Sequence, residues 1–189
     1  MPIPRTAYID ESMRIHQHLY ILAAVIVADA DAEGCRDTLR APLLRGQSRL
    51  HWRDESTRRR SQLITGVQTL QHTGAVVIAA GVIAGRQERA RRKCIEHLLF
   101  ELTSRGITQA VFERRHEELD ARDRTLIAAL QRQRSLPVAF RTSWRAATED
   151  PLLWLADIAA GAASLAEAGD EQHWEHLAAA FTIERFMLA

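Results

Sequence analysis

The sequence predicts an α/β fold: a mixed five-stranded sheet, antiparallel at its start and parallel thereafter, flanked by helices. Three observations carry this. The longest apolar runs, Leu19 to Ala28 and Ala75 to Ala84, are rich in β-branched residues and far short of the roughly 20 residues a spanning helix needs. They read as buried strands, so no membrane segment is expected. A short polar stretch separates the first two strands, which makes that pair antiparallel. From Gly85 onward, amphipathic stretches of helical period alternate with short apolar strands.

Taken in order, Arg5 to Glu11 is the first strand, Ser12 to His18 a turn and Leu19 to Val27 the second strand. Asp31 to Leu44 forms a helix that ends before the loop around Gly46. Asp54 to Thr73 is a charged helix with Leu63, Val67 and Leu70 on one face. Gly74 to Ile83 is the third strand. Gly85 opens a long helix through Arg105, with Cys94, Leu98 and Leu102 inward and its arginines outward, and Gly106 stops it. Ile107 to Glu113 is the fourth strand, Glu117 to Arg134 a helix, and Pro137 to Ser143 the fifth strand. Asp150 is an N-cap with Pro151 at the first helical position of a helix through Ala168. A last helix begins at Asp170 and holds Trp174, Leu177 and Phe181. An antiparallel hairpin followed by β-α-β-α-β-α is the plan of a ribonuclease H-like fold, and the 189 residues suit a single domain over 1–189. In that plan the first and fourth strands are central neighbours.

Composition narrows the function classes. The hydrophobic fraction is 47%, the charged fraction 26% and the net charge +1, so nothing global demands nucleic acid or a membrane surface. Lys93 is the only lysine, and the arginine bias loses weight as evidence for phosphate binding. Cys35 and Cys94 form no metal or redox spacing; with no signal peptide evident, a cytoplasmic location is expected. Glycine-loop phosphate motifs, Gly-x-Ser-x-Gly, Cys-x-x-Cys and His-Glu-x-x-His are all missing.

What stands out is Asp157, the one charge in the middle of an otherwise apolar helix, Asp150 to Ala168. A buried unpaired carboxylate costs several kcal/mol, so it neutralises, finds a cation or borders a polar site. Asp10 stands at the end of the apolar run Ala7-Tyr8-Ile9, on the same strand face as Tyr8 and Thr6, while Glu11 points to the opposite face. Glu113 ends the fourth strand. In the ribonuclease H-like plan Asp10 and Glu113 come together and Asp157 lies across them. Each acid has a plainer reading: Asp10 capping a turn through the Ser12 and Met13 amides, Glu113 a solvated strand-end charge, Asp157 a core residue paired with arginine. Gly161, one turn beyond Asp157, lets backbone approach backbone. His51, in Leu50-His51-Trp52, orients a water or phosphate, or simply packs on Trp52. Asp54 or Glu55 is a helix-borne acid or, for Asp54, an N-cap. His16 and His18 read as a solvated turn, Asp120 and Asp123 as exposed helix charges.

Tyr8-Ile9-Asp10-Glu11-Ser12 and the strand after it, the Leu50-His51-Trp52 motif, and Leu155-Ala156-Asp157-Ile158-Ala159-Ala160-Gly161-Ala162 together resemble the "domain of unknown function 3800" family. These motifs span nearly the whole chain in the family's order, with Met13 standing where glycine commonly follows the Asp-Glu-Ser. The resemblance implies a ribonuclease H-like fold and an origin in phage or mobile-element contexts. Three carboxylates, Asp10, Glu113 and Asp157, would hold Mg²⁺ or Mn²⁺, two ions about 4 Å apart serving phosphodiester hydrolysis. The expected function is a metal-dependent nuclease with His51 assisting and Arg53 and Arg58 binding the phosphates of a nucleic acid. The rival is a non-catalytic partner-binding or regulatory module of the same fold; a small-molecule hydrolase using the same metals is a third class. The apolar tail Phe181 to Ala189 is expected to dock on its own sheet or on a second copy as a homodimer.

Overall fold

The computed structural model describes residues 3–189. In chain order the elements are β1 (Arg5–Arg14), β2 (Leu19–Ala28), α1 (Ala32–Arg40), α2 (Thr57–Val67), β3 (Thr73–Ala80), α3 (Gln87–Ser104), β4 (Gln109–Glu113), α4 (Glu117–Arg132), β5 (Arg141–Arg145), α5 (Leu152–Ala166) and β6 (Phe181–Met187). The strands form one mixed sheet in the order β5-β4-β1-β2-β3-β6. β1, β2 and β3 are joined antiparallel, whereas β4, β5 and β6 pair parallel with β1, β4 and β3 respectively.

Alternation along the strands builds two cores. Tyr8, Ile21, Val25, Val76 and Val111 point to the face covered by α1, α2 and α5. Ile9, Leu22, Ala24, Val77 and Phe112 point to the face covered by α3 and α4. β2 is buried on both faces, as its unbroken apolar run requires. α5 is apolar almost all round because it packs over the sheet centre on one side and against α1 on the other.

The sheet has six strands, not five. The segment after Asp170 forms turns that bury Trp174 and Leu177, not a helix, and the tail returns as β6, pairing Phe181 to Met187 with Gly74 to Ala80. The β-branched and aromatic residues of FTIERFM suit an edge strand, and the tail docks on its own sheet. Gly74 allows this, since a Cβ there would run into the Phe181 ring and the Ala24 carbonyl oxygen. β1 continues past Glu11 to Arg14, and the turn is a short 3-10 segment, Ile15–Gln17, closed by His18 in the left-handed region (φ 57°). β5 starts at Arg141 because Pro137, with no N–H to give a ladder, opens a turn closed by Phe140 N–H to its carbonyl. α2 starts later than expected: Ser56, not Asp54, caps it by accepting from Arg59 N–H.

Candidate functional site

β1 and β4 run parallel, with Ile9 level with Phe112, so the next residue on each strand is an acid: Asp10 and Glu113. Both share the face of Tyr8 and Val111, beneath α5, which carries Asp157. Carboxyl ends of adjacent parallel strands are where open α/β sheets gather ligand-binding groups. With Arg49, His51, Arg115 and Trp154, the three acids line a cleft of about 190 Å³. Burial is the largest cause pushing the Asp10 carboxyl well above its ordinary range. The neighbouring charges of Glu113 and then Asp157 raise it further. A proton on Asp10 or a cation in the cleft relieves this repulsion.

Each carboxylate is held on one side. Asp10 Oδ1 accepts Glu11 N–H at 2.7 Å, not the Ser12 or Met13 amides, and Glu113 Oε1 accepts from Arg49 Nη1 at 3.3 Å. Asp157 Oδ2 accepts Trp52 N–H at 2.7 Å and meets His51 Nδ1 at 3.2 Å. The opposite oxygens, Asp10 Oδ2, Glu113 Oε2 and Asp157 Oδ1, take no N–H or hydroxyl donor among the described residues. Asp157 therefore pairs with histidine and backbone, and no arginine binds it among the described residues. The bond to Asp157 raises the His51 pKa above its ordinary value, against an opposing desolvation.

Segment 50–53 is fastened by α5 and α2. Arg60, in α2, donates to the Trp52 and Arg53 carbonyls and lies over the Trp52 ring, 5.1 Å from its centroid. The Trp52 indole sits directly on Gly161, where a Cβ would lie 2.5 Å from Cγ and 2.7 Å from Nε1. Gly161 thus admits a side chain, not a backbone, and that side chain belongs to the residue whose amide binds Asp157.

Glu11 faces away from Asp10 into an ion network that the sequence did not reveal. Arg91, 2% exposed, binds Glu11, Asp123 and the Tyr20 hydroxyl, and Arg115 joins Asp123 to Glu88. The expectation that α3 turns its arginines outward holds at Arg89 and Arg92 but is corrected at Arg91, and Asp120 and Asp123 are not the solvated charges expected. Asp123 is 4% exposed between two guanidiniums, and Asp120 is buried accepting Arg115 N–H. Glu55 is likewise taken, by Arg59 and Gln47, and Asp54 is exposed outside the cleft.

A wider groove of about 680 Å³ adjoins the acid cleft and shares Glu11, His51 and Asp157 with it. Arg53 lines this groove; Arg58 is exposed on α2 and does not.

Among the described residues, no three His, Cys, Asp or Glu side chains are arranged as a ready metal site. By chemistry the donors fit a hard cation: three carboxylates, no thiol, and one oxygen of each left without a donor. Cys35 and Cys94 are buried free thiols that do not line the acid cleft, and no described helix is long and apolar enough to cross a membrane. No protein-family model and no curated protein matches this chain.

Proposed function

We propose that this chain is a divalent-metal-dependent nuclease of the ribonuclease H-like class. The observation that carries the reading is the convergence of Asp10, Glu113 and Asp157, from β1, β4 and α5, into one cleft where their charges oppose one another. Stability alone gives no reason to gather three acids there, because mutual repulsion and desolvation both work against folding. The order β5-β4-β1-β2-β3, with only β2 antiparallel to its neighbours, supports the fold assignment; β6 is an addition at its edge.

Asp10, Glu113 and Asp157 would hold Mg²⁺ or Mn²⁺, which when bound supplies a lowered water pKa and charge for the leaving oxygen. The chain's own residues do the rest. Asp157 fixes the His51 ring through Nδ1, which leaves Nε2 to take or give a proton at the cleft. Trp52 N–H and Arg49 keep two of the acids oriented. Arg115 lines the cleft wall with its guanidinium held by Glu88 and Asp123, which fixes that wall in place.

The test is thermal denaturation of wild type and Asp157→Asn with and without Mn²⁺. At a hundred times its dissociation constant the ion stabilises by about 2.7 kcal/mol, a rise of roughly 5–10 °C for a chain this size. That increment is expected in the wild type and lost in the variant. An equal response in both, or none in either at millimolar metal, would refute the carboxylate site. The rival, a non-catalytic module, draws on one observation: the acids do not stand as a ready three-ligand set. It predicts no metal increment in either protein.

A further inference from the structure

The groove beside the acid cleft has an uneven charge that the cleft alone does not explain. Its acids, Glu11 and Asp157, are at the end shared with the cleft; the remainder carries Arg14, His16, Arg53 and Arg60. Its walls are the β1–β2 hairpin tip and segment 51–53, and its floor is Gly161 and Leu165 of α5.

Arginine pairing singles out two residues. Among the buried or half-buried arginines, Arg36, Arg49, Arg59, Arg91, Arg105 and Arg115 each pair with a carboxylate. Arg14 and Arg60, also half-buried, have no carboxylate partner among the described residues. Both line the groove. Arg14 donates to the Ser164 hydroxyl at 2.6 Å and Arg60 to two backbone carbonyls, which orients each guanidinium without neutralising it. A half-desolvated cation with only neutral partners is poised for an anion from solution.

We infer that this groove binds the phosphodiester backbone of a single-stranded nucleic acid, with Arg14 and Arg60 on phosphates that follow, along the groove, the one at the acids. The inference rests on the nuclease reading for the position of the reacting phosphate, but not for binding. A single strand is favoured over a duplex because the groove is of small-ligand size and is walled on both sides. The exposed Met13 and Ile15 on its hairpin wall offer apolar surface to unpaired bases. Arg53, exposed at the rim, adds long-range attraction.

Fluorescence anisotropy in EDTA separates the two readings, because cleavage is silent without metal. The probes are labelled single-stranded DNA and RNA of one sequence and the corresponding duplexes. The single strands should bind more tightly than the duplexes, and whichever sugar binds better identifies the source of the phosphates. Arg14→Gln should weaken binding about tenfold and lower the slope of log affinity against log salt by about 0.7. Arg122→Gln, on the far side of the sheet, should change neither. Because Arg60 also holds segment 51–53, Arg60→Gln is read beside Arg60→Lys, which keeps the charge and should retain most of the affinity. Duplex preference, or an Arg14→Gln variant with wild-type affinity and salt slope, overturns the inference. Mn²⁺ stabilisation without oligonucleotide binding sinks this inference alone; oligonucleotide binding without any metal response sinks the nuclease reading alone.

Discussion

Gly161→Ala is the sharpest structural test of the site, because in a generic helix the change stabilises. A buried-helix glycine replaced by alanine gains up to about 1 kcal/mol in propensity. Here the new methyl would stand 2.5 Å from Trp52 Cγ and 2.7 Å from Nε1, where ordinary contacts begin at 3.4 Å. The indole, 3% exposed between α5, α2 and His173, has to move by about an ångström. Overpacking of that kind costs about 1–3 kcal/mol. The shift also pulls Trp52 N–H away from Asp157, and a bond to a charged acceptor contributes about 1.5–3 kcal/mol. Allowing for overlap between these terms, the net loss is about 3 kcal/mol, a fall of roughly 6–12 °C in Tm. Urea denaturation of a double-mutant cycle with Trp52→Ala decides the cause. Trp52→Ala alone costs about 3–5 kcal/mol, and Gly161→Ala on that background should turn neutral or stabilising. If Gly161→Ala leaves wild-type stability unchanged within about 0.5 kcal/mol, or is equally harmful on both backgrounds, the indole does not rest on Gly161 and the geometry around Asp157 is wrong.

Four further outcomes follow from the titratable and charged groups. Asp10, whose folded pKa is raised, withdraws stability as pH climbs from about 4 through that value; in metal-free protein Asp10→Asn should remove this slope and raise Tm at pH 7, read by calorimetry across pH. His51, raised by its bond to Asp157, lends stability below about pH 6.5 that disappears as pH rises through its folded pKa, and NMR titration should show that pKa falling in Asp157→Asn. Arg91→Met leaves Glu11 without its partner and Asp123 with only the longer contact to Arg115, and should cost about 3–5 kcal/mol in chemical denaturation, whereas the same change at exposed Arg92 should cost under 1 kcal/mol. Burial pushes the Cys94 thiol to about 12, so it should resist a thiol reagent at neutral pH until the protein unfolds.

The acids were legible because they break a pattern. Asp157 interrupts an apolar helix and Asp10 and Glu113 close apolar strands, so local sequence was enough to mark them. What local sequence lacks is partner identity. Nothing near Gly161 announces Trp52, more than a hundred residues earlier, and Arg91 shares a helix face pattern with solvated arginines on neighbouring positions. The same holds for Arg14 and Arg60, which no motif distinguishes and which only their missing carboxylates reveal. The sequence offers Arg53 and Arg58 as candidate arginines near the site; Arg53 lines the groove and Arg58 does not. β6 failed for a different reason: Trp174, Leu177 and Phe181 match helical spacing, but the residues after Phe181 gain more by pairing with β3.

The acids come from the beginning, middle and final fifth of the chain, on β1, β4 and α5. During synthesis the hairpin of β1 and β2 can close early, since its contacts are local. Asp10 then waits for β4 to pair beside it and for α5 to close above both. No nascent chain still lacking α5 can assemble the acidic centre. Whatever this centre does, the cell meets it only in protein synthesised at least through α5.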